Sequence, residues 1–270
     1  MQSTSTATVA NPPIAIQKLE LASPNPAAAG RVETHEVLPG EIKDVILHLV
    51  SIHGAGQHLE PANANHEIIW LFLKGRGTLR TQDATVEIAG ETIARAPLGW
   101  SWQIDVPAGE ILHGLRICTK LSAEDRLELK KFPQNNTSSL VKKFSDCPAY
   151  REAIKSPKTT SRTLLAENFV PRVALGTVET TGPDAVGAHR HSMLEQLFLG
   201  LQGNDVTVTA DAATARLTSF DILHIPLGSN HGAQVAAGQK LHYIWMDFFM
   251  TKEGQDWLKM HKPLAEEKNG

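Results

Sequence analysis

The sequence predicts an all-β protein: two tandem β-barrels, a short helical linker between them, and a C-terminal helix. Three observations predict it. Residues 31–121 and 163–252 are runs of short strand-like segments punctuated by turns. The stretch between them is charged and helix-favouring. The two β-rich halves also align with each other, which makes them one unit present twice.

Residues 1–30 are rich in Ala, Pro, Ser and Thr, and Pro12-Pro13 and Pro24-Asn25-Pro26 argue for a flexible, extended arm. A strand near Ile14-Ala15-Ile16 could pair across a dimer. In the first β-rich half, residues 44–50 are strand-like, and residues 68–73 form an apolar run closed by Gly75 and Gly77, which suits a buried strand. Residues 85–88 alternate before Gly90 turns the chain. In the linker, 122–162, residues 123–131 favour a helix and Pro133 with Asn135 and Asn136 breaks it. Its lysines read as a solvated face. Residues 163–252 return to strands and turns. In residues 253–270, Trp257, Leu258 and Leu264 are spaced for one apolar helical face.

The chain has 270 residues, 41% hydrophobic and 20% charged, the balance of an ordinary globular protein. A net charge of −3 gives no basic excess to attract nucleic acid or a membrane surface. The two cysteines, Cys118 and Cys147, are far apart and in no metal-type spacing, which fits a reducing, cytoplasmic setting. The N-terminus has no basic region followed by an apolar run, so no signal peptide is expected.

Chemistry concentrates in the second half. His189 and His191 sit two apart, so in a strand their side chains share a face, and Glu195 has the same parity. Further on, Pro226-Leu227-Gly228 turns the chain and brings His231 onto a neighbouring strand. His-x-His-x3-Glu followed by Pro-x-Gly-x2-His resembles the paired motifs of the cupin superfamily. The resemblance implies a jelly-roll barrel holding one divalent transition metal (Fe, Mn, Zn, Ni or Co) on His189, His191, Glu195 and His231. Phe220 stands where a glycine is usual, and Val235 where the second motif often ends in asparagine.

The repeat sets Glu67 against Glu195, Leu71 against Leu199, Gly75 against Gly203, and Pro97-Leu98-Gly99 against Pro226-Leu227-Gly228. This reads as a bicupin. Pro61 and Asn63 fall at the places of His189 and His191, and Trp102 at that of His231, so the first copy has lost its imidazoles. His53, His58 and His66 match no ligand pattern. Trp100 and Trp102 are expected to fill that barrel. His113 and His242 recur in both copies, with and without the metal motif, and are read as structural.

Around the metal, His224, Gln234 and Tyr243 are the candidate catalytic side chains, and Arg190, between two ligands, is expected to point outward. Three function classes fit. One is a metal-dependent isomerase or lyase on a small oxygen-rich acid or sugar; here residues 168–171 ahead of the His-x-His strand are similar to bicupin uronate isomerases, although the spacing to Glu195 is one residue shorter. The second is a non-haem Fe(II) dioxygenase. The third is a non-enzymatic binder of a small molecule. A homodimer is expected because cupins commonly pair by strand exchange.

Overall fold

The computed structural model describes residues 14–23 and 25–254. The expected C-terminal helix therefore lies almost wholly outside the described residues. The chain opens with β1 (Ala15–Lys18). The first barrel follows as β2 (Val32–Val37), β3 (Val45–His53), β4 (Gly56–Glu60), β5 (His66–Lys74), β6 (Arg76–Arg80), β7 (Thr85–Ala89), β8 (Thr92–Arg95), β9 (Trp102–Val106) and β10 (Ile111–Lys120). The linker holds α1 (Ala123–Lys131), β11 (Leu140–Lys143) and β12 (Ala149–Tyr150). The second barrel runs through β13 (Thr160–Val170), β14 (Val173–Thr181), β15 (Asp184–Arg190), β16 (Leu194–Gly200), β17 (Asp205–Ala210), β18 (Ala213–Thr218), β19 (Asp221–Ile225), β20 (Asn230–Val235) and β21 (Lys240–Phe249).

Each barrel is a large sheet facing a four-stranded one. The first pairs β11-β8-β5-β10-β3-β2 with β4-β9-β6-β7; the second pairs β1-β19-β16-β21-β14-β13-β12 with β15-β20-β17-β18. The strands that begin each unit change places. β1, ahead of the first barrel, pairs antiparallel with β19 of the second, and β11, ahead of the second, pairs with β8 of the first. The N-terminal arm thus contains a strand, and its partner lies in the same chain.

Strand alternation explains the cores. In β16, Leu197 and Leu199 face one way and Phe198 the other; in β5, Ile69 and Leu71 oppose Ile68, Trp70 and Phe72. One set from both halves merges into a single core between the two large sheets, with Leu49, Leu71, Leu115, Leu199, Ile222, Ile244 and Met246 among its members. The opposite sets fill each barrel separately. The large sheets are therefore apolar on both faces, and the barrels are fused back to back.

The helix is held more by its cap than by burial. Ser122 and Asp125 form a reciprocal capping box, and Asp125 is the one buried helical residue. Arg172 of the second unit donates to both Asp125 oxygens at 2.9 Å, tying linker to barrel. Cys118 and Cys147 are free and buried.

Candidate metal centre

His189 on β15 and His231 on β20 lie directly opposite each other in register. Their ring centroids are 4.4 Å apart, and His191 stands 4.9 Å from one and 5.5 Å from the other. The ligand nitrogens of the three all lie within 4.8 Å of one another. His189 Nδ1 donates to the Gly187 carbonyl at 2.9 Å and His231 Nδ1 to that of Ser229 at 3.1 Å. A carbonyl only accepts, so both rings carry their proton on Nδ1 and present a lone pair at Nε2. His231 Nε2 is buried and has no hydrogen-bond partner among the described residues.

All three rings are held neutral. Burial, then the neighbouring imidazoles, push His191 down to about 3. Burial and His189 push His231 to about 4, and burial lowers His189. Three neutral bases brought together, His231 buried and the other two half-buried, are what a divalent metal takes. The residues present fit the metal that the cupin resemblance implies.

Glu195 does not join them. Its Oε2 accepts from His224 Nε2 at 2.9 Å, and it shares a strand face with Leu197 and Leu199, towards the inter-barrel core. The alternation that put Glu195 beside the histidines does not carry through residues 191–193, where the chain bends between β15 and β16. His224 goes with it. Its Nδ1 bonds Glu41 Oε2 at 2.8 Å, so a carboxylate holds each ring nitrogen, outside the barrel interior. Burial alone would lower its pKa, but hydrogen bonds and charge from Glu195 and Glu41 raise it. Gln234 is exposed: an odd separation from His231 within one strand turns it outward. Tyr243 is in the barrel interior, stacked at 4.7 Å on Phe198, whose ring centroid is 5.9 Å from that of His231. Arg190 is exposed, 3.9 Å from Asp211.

The first barrel carries no such group among its described residues. Trp102 pairs with Glu60 in β4·β9 as His231 pairs with His189, so Glu60, not Pro61, stands in the place of the first histidine. Glu67 follows Glu60 by seven residues but Glu195 follows His189 by six, so the turn ahead of β16 is one residue shorter and shifts the correspondence by one. Asn63 does turn chemistry instead, its Oδ1 accepting from the backbone of Asn65 and His66. Two nitrogens of Arg116 donate to Glu60 at 2.7 and 2.8 Å, and Trp70 Nε1 does so at 3.1 Å. Burial would raise the Glu60 carboxyl, but hydrogen bonds from Arg116, His58 and Trp70 with the Arg116 charge bring it to about 2. An internal ion pair, Trp70 and Trp102 occupy this barrel, while Trp100 is only half-buried. His113 is satisfied by Ser51 Oγ and the Ala22 carbonyl.

Several interior side chains were invisible to motif reading. Gln196 shares the face of Phe198 and donates to Asp247 Oδ1 at 2.7 Å. Burial pushes the Asp247 carboxyl up to about 7 against the pull of that hydrogen bond. The linker also borders the site: Lys155 bridges to Val186, and Gly187 N–H donates to the Ile154 carbonyl at 2.8 Å. The Lys155 side chain is only 7% exposed, bonded to Glu152 and Ser161 Oγ, so it is no solvated-face lysine.

No protein family and no curated protein matches the sequence. Solved structures do. A putative glyoxylate-induced protein from Pseudomonas aeruginosa superposes with a TM-score of 0.65 at 11% identity over 80% of this chain and 78% of that one. A cupin 2 conserved barrel domain protein from Leptotrichia buccalis gives 0.57 at 13% identity over 86% and 98%. A Lactobacillus farciminis oxalate decarboxylase in complex with formate gives 0.58 at 13% identity over 84% and 85%. These likenesses establish the fold, a pair of cupin barrels in one chain.

Proposed function

We propose that this two-barrel cupin is a metal-dependent enzyme acting on a small oxygen-rich organic acid or sugar, in an isomerase- or lyase-type reaction. One observation carries the reading: three neutral imidazoles, His231 buried and His189 and His191 half-buried, bring their ligand nitrogens within 4.8 Å of one another, and the His231 Nε2 has no other partner among the described residues. Bound there, a divalent metal supplies Lewis-acid polarisation of a substrate carbonyl or carboxylate oxygen. The chain supplies the rest. The Gly187 and Ser229 carbonyls fix the tautomer and aim of His189 and His231. Phe198 and Tyr243 wall the interior against water. Asp247, with a carboxyl raised to about 7, can hold or release a proton near neutral pH. An oxalate decarboxylase among the similar structures supports the substrate class.

Elemental analysis of protein purified without chelators or nickel resin tests the reading. His189→Ala and His231→Ala are expected to lose most of the metal, and His113→Ala to keep it. Iron with oxygen uptake would move the reaction to a dioxygenase. A site that binds a small acid equally well after metal removal would make the protein a binder. Equal metal in the wild type and both site variants would refute a metal centre. No helix among the described residues is long and apolar enough to cross a membrane. We also propose a cytoplasmic homodimer, to be tested by fractionation and sedimentation.

A further inference from the structure

Resting on the metal reading above, we propose that the oxygen donor completing the three-imidazole set is the side-chain carbonyl of Gln196, aimed by Asp247, and not the carboxylate of Glu195. Strand parity is the first argument. Successive residues of β16 face opposite ways, and Phe198, whose ring meets that of His231, shares its face with Gln196. Glu195 is on the reverse face and spends its carboxylate on His224.

The second argument is an unmet oxygen. Gln196 is 5% exposed, and its Oε1 is buried without a hydrogen-bond partner among the described residues. Native proteins rarely leave such an atom bare, because its lost hydration is then not made good. His231 Nε2, on the same interior, is bare in the same way. One cation would satisfy both.

The third argument is orientation. Asp247 is 7% exposed and accepts from Gln196 Nε2 at 2.7 Å. Oδ1 is the accepting oxygen of that bond, so the NH2 end of the amide turns to Asp247 and the carbonyl end is left free. A carboxylate behind a ligand is the usual way such a donor is fixed, which makes Asp247 a positioning residue.

The consequence concerns substrate. Three imidazoles and one amide are all neutral, so the metal keeps its full double positive charge. A carboxylate ligand would halve it. The site therefore favours an anionic substrate, which narrows the class from acids or sugars to organic acids.

Co(II) titration of the apo-protein, followed by visible absorption and by competition with a chelator, tests this. Gln196→Leu is expected to weaken Co(II) binding on the order of 10–100-fold and to change the visible spectrum. Gln196→Glu, of the same shape, is expected to tighten it. Asp247→Leu should weaken binding, while Asp247→Asn, which keeps an acceptor, should restore most of it. Glu195→Gln should leave affinity and spectrum as in the wild type. The proposal is overturned if Glu195→Gln costs as much as Gln196→Leu, or if neither Gln196 variant alters spectrum or affinity while circular dichroism shows it folded. In that second case, Co(II) binding that still depends on His231 leaves the metal reading intact. A wild type that binds no Co(II) removes both.

Discussion

The buried ion pair between Glu67 and Arg95 can be broken one side at a time. Arg95 Nε and one terminal nitrogen donate to the two Glu67 oxygens at 3.0 and 2.8 Å, and the side chains are 0% and 1% exposed. At that depth solvent does not screen the pair. Arg95→Met leaves an uncompensated carboxylate in the inter-barrel core and is expected to cost about 3–5 kcal/mol. Glu67→Leu strands the guanidinium and should cost a similar amount. The double variant removes both charges. It keeps the loss of the Arg95 bonds to the Asn135 carbonyl and Asn136 Oδ1, at 2.7 and 3.0 Å, and of its contact over the Phe169 ring, so about 1–3 kcal/mol remains. The singles and the double should thus be coupled by at least ~2 kcal/mol. Urea unfolding followed by circular dichroism and tryptophan fluorescence measures it. Additive singles, with a coupling below ~0.5 kcal/mol, would refute the claim that the pair acts as a buried unit.

The equivalent pair in the second barrel is Glu195 with His224, and it should behave differently with pH. Its folded pKa is raised, because the two carboxylates outweigh the burial that acts first to lower it. Its stabilisation is then fully present below the unfolded histidine value, about 6.5, and is lost as pH rises through the higher folded value. The gap in unfolding midpoint between wild type and His224→Gln should be widest near about pH 6 and close on the alkaline side; a gap that widens with pH would contradict the assignment. Gly176 is held small by Trp245: a Cβ there would sit 2.3 Å from the indole and 2.6 Å from the Arg162 carbonyl. Gly176→Ala should cost about 1–3 kcal/mol and shift the tryptophan emission, and an unchanged midpoint would show the packing is looser than described.

The fold and the imidazole set were legible because both are written as local spacing. His189 and His191 lie two apart on a strand and its end, and the Pro226–Gly228 turn brings His231 opposite the first of them. The carboxylate was not legible. Leu194 and Phe198 face one side of β16 while Leu197 and Leu199 face the other, so a strand apolar on both faces gives no phase to read. The clue was in the repeat. Glu67 and Glu195 recur whether or not histidines accompany them, as His113 and His242 do, and that argues for a framework role in all four. The pairs Ile69↔Arg95 and Leu197↔His224 bear this out for the two glutamates, since they set each beside an equivalent basic partner. Gln234 failed on simple parity. Lys155 failed because a base rate for linker lysines says nothing of which one the chain folds inward.

The crossed opening strands also bear on how the polypeptide is made. β1 leaves the ribosome some two hundred residues ahead of β19, the edge it covers. Until then the N-terminal segment has no berth, and the earlier unit must settle without it. A truncation beginning at β2 would strip the later unit of its edge cover, and one ending at β10 would do the same to the earlier unit by removing β11. Neither half is a free-standing module, so the imidazole-bearing unit cannot simply be excised and studied alone.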